Sequence, residues 1–462
     1  MKSFTQRNDP YFGLPGNQSS GKLSFLRFLF RYPVFLLAFG PPIFRDNAGI
    51  DVTKGKIDVW AFVQVAWVGL IAVRAVYSLS SSHTILIPKQ VRSILRLFFI
   101  LGLLFLASAE YSPSRLASAA YAIFYLLTLI CVAEFVVDSY KNPPDWMQCL
   151  FHLRFMFLLL FLLVLCTIPF RPMMVMAVIP GVGIRLSGGA VASITVICPL
   201  TVIISAYTFL FSLESKARSI IFFMIGMAGT LLAQSRGCEI ALLASLALVA
   251  FLWATSGKRS SYLFLAASFA SVLLGGVVLA IIGGGRIWSL FNRGGDTADI
   301  ESASGRTDIW KFVFQYCMAH PLGMGYVAGF RIIFRQYFAL GLQFEVTRIG
   351  NAHNAFMDVL AGAGWPALAV YVVLLVKIVA LGWRYARKRS IFSISSELPP
   401  RHALRCSLAL LVYCLISGLT AADFVVPLKA PFYLQFVIIA MILGMSARML
   451  AASRVRPAHL QE

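Results

Sequence analysis

The stretch "LRFMFLLLFLLVLCTIPF", residues 153–170, decides the fold class, because Arg154 is its only charged residue. Lipid offers the backbone no hydrogen-bond partners, so a stretch of this kind crosses a bilayer as an α-helix. The rest of the chain has the same character: 59% of all residues are hydrophobic, only 13% are charged, and the mean hydropathy is +0.80. We therefore expect an integral membrane protein built from helices.

Working outward from this stretch, about 20 apolar residues are needed to cross roughly 30 Å of hydrocarbon. We recognise twelve such segments, at 25–43, 59–77, 93–109, 116–137, 153–170, 190–212, 219–234, 238–255, 262–284, 354–381, 404–421 and 430–447. The alternating pattern of a membrane β-barrel is absent. The sequence thus predicts an all-α polytopic membrane protein with about twelve transmembrane helices: a flexible tail 1–24, one transmembrane domain 25–447 and a second tail 448–462.

The distribution of lysine and arginine predicts the orientation. With the N-terminus in the cytoplasm and twelve alternating helices, 25 of the 40 basic residues lie on the cytoplasmic side. Seven of the other 15 fall in one long loop, 285–352, and the positive-inside rule largely ignores such loops. We expect both termini in the cytoplasm and loop 285–352 outside. The net charge of +21 then reflects this asymmetry and attraction to anionic membrane lipids, so it does not indicate a nucleic-acid partner.

Loop 285–352 is the only large segment outside the predicted spans. Its portion "RTDIWKFVFQYCMAHPLGMGY", 306–326, places apolar residues at helical spacing and predicts an amphipathic helix on the bilayer surface. Those residues are Ile309, Trp310, Val313, Phe314 and Cys317. "PLGMG" ends this helix, and "FRIIFRQYFAL", 330–340, predicts a second one. The loop is expected to form a lid or vestibule against the outer leaflet.

Three segments place polar residues at predicted outer ends of apolar helices. Arg236 lies in "LLAQSRGCEIALL", Arg306 begins the surface helix, and His353 lies in "NAHNAFMDVLAGAGW", 351–365. Each has a plain structural interpretation: an ion pair of Arg236 with Glu239, a headgroup contact of Arg306, and helix capping in the last segment. Asp358 follows His353 by five positions, about 140° around a helix, so we expect the two not to share a face.

Taken together, two arginines and a histidine on one membrane face could bind a diphosphate group and activate a hydroxyl beside it. The planar guanidinium of arginine binds phosphate oxygens in pairs, and histidine can accept a proton from an attacking hydroxyl. The outer side has no Asp-x-Asp or His/Cys cluster, the eight cysteines form no CxxC motif, and "GNQSSGKL", 16–23, lacks the serine or threonine that a P-loop needs after its lysine. We expect no metal and no other cofactor.

The order of these motifs resembles the bacterial O-antigen ligase and polymerase superfamily over roughly residues 185–375. The motifs are "QSRG" at a helix end, "SGRTDIWKFVFQYCMAHPLGMGY" in a long outer loop and "AHNAFMDVLAGAGWPAL" at the start of the next helix. The resemblance implies a metal-independent, inverting glycosyltransferase with a GT-C-like membrane fold. Such an enzyme takes a glycan from undecaprenyl diphosphate at the periplasmic face of the bacterial inner membrane.

The resemblance also implies roles for particular residues. Arg236 and Arg306 would bind the diphosphate, His353 would activate or position the acceptor hydroxyl, and Asn354 would orient that histidine or cap the helix. Arg185, in "RLSGGAVAS", matches an outer Arg-x-x-Gly pattern, and with Arg171 it is expected to contact substrate.

Three functions remain open on the sequence. A ligase would place the glycan on the lipid A–core sugar, and a polymerase would place it on another repeat unit of the growing polysaccharide. A transporter or flippase for lipid-linked sugars also suits twelve helices, but transporters tend to show paired repeats and polar residues at the midplane of broken helices. We favour the ligase.

Overall fold

The structure is a computed structural model, and it describes the chain in blocks. These are residues 25–37, 59–81, 87–170, 172, 176–179, 183–186, 191–233, 235–255, 306–339, 352–387, 400–420, 424–427 and 429–454. The predicted span 262–284, both predicted tails apart from residues 448–454, and Arg171 lie outside the described residues.

Within these blocks the chain forms helices and one short antiparallel hairpin. The helices are α1 (Phe25–Arg31), α2 (Val34–Leu37), α3 (Val59–Ser80), α4 (Lys89–Ala107), α5 (Arg115–Lys141), α6 (Trp146–Thr167), α7 (Val191–Leu210), α8 (Lys216–Ala233), α9 (Arg236–Ala254), α10 (Arg306–Ala319), α11 (Ala328–Ala339), α12 (Ala355–Arg387), α13 (Pro400–Gly418) and α14 (Ala430–Arg454). The hairpin pairs β1 (Met176–Ile179) with β2 (Gly183–Leu186).

Seven of the described helices are long and apolar enough to cross a membrane, namely α4, α5, α6, α8, α9, α12 and α14. Shorter apolar stretches, Val65–Ser80 and Ile194–Leu210, lie in α3 and α7. The predicted helical membrane fold is confirmed, whereas the number twelve remains a prediction. The predicted first span is interrupted at Pro33, between α1 and α2, because proline has no N–H for the helix ladder and its ring collides with the preceding turn.

Helix α14 forms the centre of the bundle. Its stretch Pro431–Ala451 is almost wholly buried, and it packs against α5, α12 and α13. A helix that is apolar on every side needs such a position. Other helices instead expose large apolar side chains, including Leu70, Ile221, Leu243 and Val376. Since a water-soluble protein rarely exposes so much apolar surface, this outer surface is suited to lipid.

Small residues let α7 and α8 approach closely. A Cβ added at Gly226 would lie 2.8 Å from Val202 Cγ2, so only glycine fits this contact. Helix α7 also contains Pro199, which cannot donate to the carbonyl of Thr195 four residues earlier. The hydroxyl of Tyr413 on α13 donates to that carbonyl instead, so the helix tolerates its proline.

The ends of the helices gather into two groups. We call the first the motif end; it comprises residues 108–112, 235–238, 310–326, 352–355, 417–420 and 424–425. Here the Tyr326 hydroxyl donates to the Val425 carbonyl (2.6 Å), and the Tyr326 backbone N–H donates to Ser108 Oγ (2.9 Å). The ring of Tyr326 stacks on Phe105 with 3.8 Å between centroids. These contacts join the segment after α10 to the end of α4.

The other group, which we call the basic end, lies at the opposite end of α12. Arg401 and Arg405 each donate through Nε to the Ala386 carbonyl near the C-terminus of α12, at 3.0 and 3.1 Å. Tyr207 at the end of α7 lies 3.1 Å from His402 Nδ1. Basic side chains near a helix C-terminus satisfy its last carbonyls and its dipole. The described helices thus have ends in both groups, and the alternation of twelve helices across a membrane remains a prediction.

Candidate active site at the start of helix α12

Helix α12 begins with a side-chain cap. The amide oxygen of Asn354 accepts hydrogen bonds from the backbone N–H groups of Phe356 (2.9 Å) and Met357 (3.2 Å). These donors have no partner within the helix, so the cap stabilises its first turn. Capping, one of the two roles expected for Asn354, is present in the structure.

His353 precedes this cap in a left-handed backbone conformation, with φ of +51°. Such a conformation costs a residue other than glycine about 1–3 kcal/mol and persists where surrounding contacts impose it. Histidine tolerates it better than most residues. The His353 side chain is half-buried, so it lies at the edge of the packed bundle rather than within it.

The residue before His353 is held at both of its backbone groups. Ala352 is fully buried; its N–H donates to Asp358 Oδ1 (2.8 Å), and its carbonyl accepts from Trp310 Nε1 on α10 (2.9 Å). The expectation that Asp358 and His353 do not share a helix face assumed that both lie on one helix. His353 lies outside the helix, and the Asp358 carboxylate reaches back past it to Ala352.

About two turns after its start at Ala355, α12 is interrupted. Ala363 (φ −137°, ψ 19°) and Gly364 (φ 73°, ψ −167°) leave the helical conformation, and Pro366 follows. The loop after α10 bonds to the opened backbone: Met324 N–H donates to the Ala361 carbonyl (2.6 Å), and Gly325 N–H donates to the Gly362 carbonyl (2.9 Å). The break therefore docks the segment between α10 and α11 onto α12.

A second, smaller hydrophobic cluster lies under α10 and α11. It includes Ile309, Val313 and Cys317 from α10, together with Phe334 from α11 and Leu360 from α12. The two helices predicted in the outer loop are thus present, and they pack on α12. Their placement on a bilayer surface remains a prediction.

Not every predicted apolar position of α10 is buried. Phe314 is 46% exposed and Trp310 is half-buried, although both were predicted on the apolar face. Burial raises the pKa of the Cys317 thiol to about 11, which favours the protonated thiol at neutral pH.

The start of α9 also belongs to the motif end. A Cβ added at Gly237 would lie 2.8 Å from Thr420 Cβ, just after α13, and one added at Gly418 would lie 3.5 Å from Ala355 Cβ. The end of α13 therefore contacts both the residue after Arg236 and the residue two positions after His353.

The predicted site residues fall into three groups. Arg236 and Arg306 are the first residues of α9 and α10, and His353 precedes α12. The starts of these three helices lie together at the motif end. The structure does not describe the side chains of the two arginines. Arg185 lies in β2 opposite Ala177, and its side chain is likewise outside the description. Arg171 is not described.

No cluster of three or more metal-binding side chains occurs among the residues that the structure describes.

The sequence did not predict the contacts that support the histidine. Trp310 was assigned only to an apolar face, and Asp358 was assigned no role. The pairing of β1 with β2 was also missed, although Pro-Gly in the sequence between two short apolar runs is a typical turn signal.

Residues 220–372 match the family model described as O-Antigen ligase. No curated protein matches the chain. The matched range includes Arg236, Arg306 and His353 together with α10, α11 and the broken part of α12, whereas Arg171 and Arg185 precede it. This match to residues 220–372 supports an integral membrane glycosyltransferase of the O-antigen ligase or polymerase type.

Proposed function

We propose that the protein is an inverting, metal-independent glycosyltransferase of the ligase type, acting at the periplasmic face of a bacterial inner membrane. Its donor would be a glycan on undecaprenyl diphosphate and its acceptor a hydroxyl of the lipid A–core. One observation carries the proposal: the starts of α9, α10 and α12 come together at the motif end. Arg236 is the first residue of α9, Arg306 is the first residue of α10, and His353 lies just before α12.

In the proposed reaction, the acceptor hydroxyl oxygen attacks the anomeric carbon of the donor glycan. The bond from that carbon to the diphosphate oxygen breaks, and its electron pair leaves with undecaprenyl diphosphate. The hydroxyl proton passes to the imidazole of His353, which acts as general base. Attack opposite the departing oxygen inverts the anomeric configuration.

The arginines would supply the charge that this leaving group requires. Two guanidinium groups can each make paired hydrogen bonds to diphosphate oxygens, and they keep their charge at any relevant pH. Next to lipid this attraction is screened less than in water. The proposal assigns diphosphate binding to Arg236 and Arg306, and for this reason includes no metal ion.

The membrane orientation follows from charge. The basic end carries Arg154, Arg401, Arg405 and Arg448, and the positive-inside rule favours the cytoplasm for such a cluster. The motif end would then face the periplasm. This is the side on which a lipid-linked glycan and a lipid A–core acceptor could meet.

The test uses the full chain, purified and reconstituted into liposomes. Undecaprenyl-diphosphate glycan is added with EDTA present, with either lipid A–core or further repeat units as acceptor, and the released undecaprenyl diphosphate and the glycan size are followed. Transfer to lipid A–core that is lost in His353→Ala supports the ligase. Lengthening glycans would replace it with the polymerase, and intact lipid-linked glycan crossing the bilayer would replace it with transport.

A further inference from the structure

We propose that Trp310 and Asp358 are positioning residues that hold His353 in its working geometry through the backbone of Ala352; this rests on the function proposed above. Neither residue needs to touch substrate. Their effect would pass to the imidazole through two hydrogen bonds, one to the N–H and one to the carbonyl of Ala352.

The backbone on both sides of His353 is fixed by its neighbours. Before it, Ala352 donates its N–H to Asp358 Oδ1 (2.8 Å) and accepts at its carbonyl from Trp310 Nε1 (2.9 Å). After it, Asn354 caps α12. A residue held at φ +51° relaxes if such supports are removed, since this conformation is not favoured by its own backbone. The two bonds on Ala352 therefore determine the direction in which His353 projects.

Trp310 also relates His353 to the start of α10. Arg306 and Trp310 are four residues apart in one helix, so they lie on the same side of it. The bond from Trp310 to Ala352 thereby fixes the position of the first turn of α10 relative to His353. In the proposed reaction these two elements carry the diphosphate-binding arginine and the general base, whose separation must be held closely.

The same two helices offer a matched control. Trp365 on α12 donates its indole N–H to the Cys317 carbonyl near the end of α10, at 3.2 Å. Both tryptophans are half-buried; the Trp310 bond joins α10 to the segment just before α12, and the Trp365 bond joins α12 to α10. Only the Trp310 bond ends beside His353. Trp365→Phe therefore removes a similar hydrogen bond without changing the support of the histidine.

The experiment compares wild type, Trp310→Phe, Trp365→Phe, Asp358→Ala and Asp358→Asn in the reconstituted transfer assay, with melting temperatures measured alongside. We expect Trp310→Phe to lower kcat about tenfold to hundredfold, with a smaller change in the KM for the donor, because a small misplacement of a reacting group has effects of that size. Trp365→Phe should lose comparable thermal stability and keep its kcat. Asp358→Ala should behave like Trp310→Phe, and Asp358→Asn, which retains an accepting oxygen, should recover most of the rate.

The outcomes separate this proposal from the function on which it rests. Equal losses of kcat in Trp310→Phe and Trp365→Phe, or losses confined to KM, would overturn the positioning role while transfer by the wild type stands. Wild-type transfer that is unaffected by His353→Ala would overturn the general-base role and with it the positioning role, while the absence of any transfer by the wild type would overturn the proposed function.

Discussion

Arg154 on α6 and Glu214, in the turn between α7 and α8, form a buried ion pair at the basic end. Arg154 Nη2 donates to Glu214 Oε2 at 2.6 Å, and a second bond joins Nη1 to Oε1. Their side chains are 3% and 5% exposed. Thr208 (2.7 Å) and Ser219 (2.8 Å) donate to the same carboxylate, so three segments converge on it.

Glu214→Gln should destabilise the protein by about 3–5 kcal/mol, because it leaves the Arg154 charge buried without its partner. Replacing both with apolar residues, Arg154→Met with Glu214→Leu, should cost less than the single change. The measurement is unfolding in mixed detergent micelles. The control is Glu110→Gln, whose 3.5 Å pair with Arg115 is exposed and should contribute little. Equal losses in the two single variants would contradict the buried-pair explanation.

The same pair predicts a pH dependence. Burial alone would raise the pKa of Glu214, but the hydrogen bonds from Arg154, Thr208 and Ser219 outweigh it and lower the pKa below the ordinary 4.5. A carboxyl whose pKa is lower in the folded state stabilises the fold above its unfolded pKa. That contribution is lost as the pH falls below about 4.5 towards the folded pKa. Melting temperatures from pH 7 to pH 3 should show the loss in wild type and not in Glu214→Gln.

Gly364→Ala should disrupt the break in α12. The residue has φ of +73°, and an added Cβ would lie 2.6 Å from Leu322 Cα. Strain and overpacking each cost about 1–3 kcal/mol, so we expect a clear fall in melting temperature. Gly362→Ala is the control, because its Cβ would meet Tyr326 Cα at 3.2 Å without a left-handed backbone. A larger loss in Gly362→Ala would show that the break is not what joins the loop to α12.

The sequence predicted the parts of this architecture that depend on local pattern. Ile309, Val313 and Cys317 recur at helical spacing and are buried on one side of α10. The break in α12 also has a local signal in "AGAGWP", but the signal does not reveal that Met324 and Gly325 bond to the opened carbonyls. A helical wheel fails for Asp358, because His353 leaves the helix and the wheel no longer describes their relation.

Contacts between distant segments could not be predicted in the same way. Arg154 and Glu214 are 60 positions apart, and Trp310 and Ala352 are 42 apart. Spacing within one helix carries no information on such pairs, since they depend on how helices pack. The positive-inside rule nevertheless predicts the side of the membrane on which each helix end lies. For this reason, counting basic residues predicted that the starts of α9, α10 and α12 share one side, without knowledge of any contact.

Tyr326→Phe should loosen the loop after α10. Its hydroxyl donates to the Val425 carbonyl at 2.6 Å, and the residue is 1% exposed. Removing the donor leaves a buried carbonyl unpaired, which costs about 1–3 kcal/mol. Tyr111→Phe removes a comparable bond, to the Leu322 carbonyl at 2.5 Å, from a residue that is 41% exposed, and should cost less because water can replace the hydroxyl. We expect Tyr326→Phe to have a lower melting temperature than Tyr111→Phe, and the reverse order would contradict this explanation.

Arg236→Lys tests the proposed diphosphate site. Lysine keeps the positive charge but loses the planar fork that binds two oxygens, so we expect weaker donor binding even though the charge is retained. The measurement is the KM for undecaprenyl-diphosphate glycan. Arg115→Lys, at the start of α5, is the control, because this exposed arginine pairs only weakly with Glu110. Unchanged donor binding in Arg236→Lys would remove that residue from the proposed site.

Two properties of His353 can be tested separately: the proposed role of its imidazole as general base and its left-handed backbone conformation. His353→Ala removes the imidazole and keeps a Cβ at φ +51°, whereas His353→Gly removes the imidazole and suits the left-handed backbone. If the imidazole is the general base, both variants should lose about 10²–10⁴ in rate. Glycine usually lowers stability relative to alanine, but here we expect the reverse. His353→Gly should have a higher melting temperature than His353→Ala, because glycine relieves the strain of the left-handed backbone. Transfer rates and melting temperatures of both variants in the same reconstituted preparation separate the two effects, and near-normal turnover in His353→Gly would leave the histidine with a structural role alone.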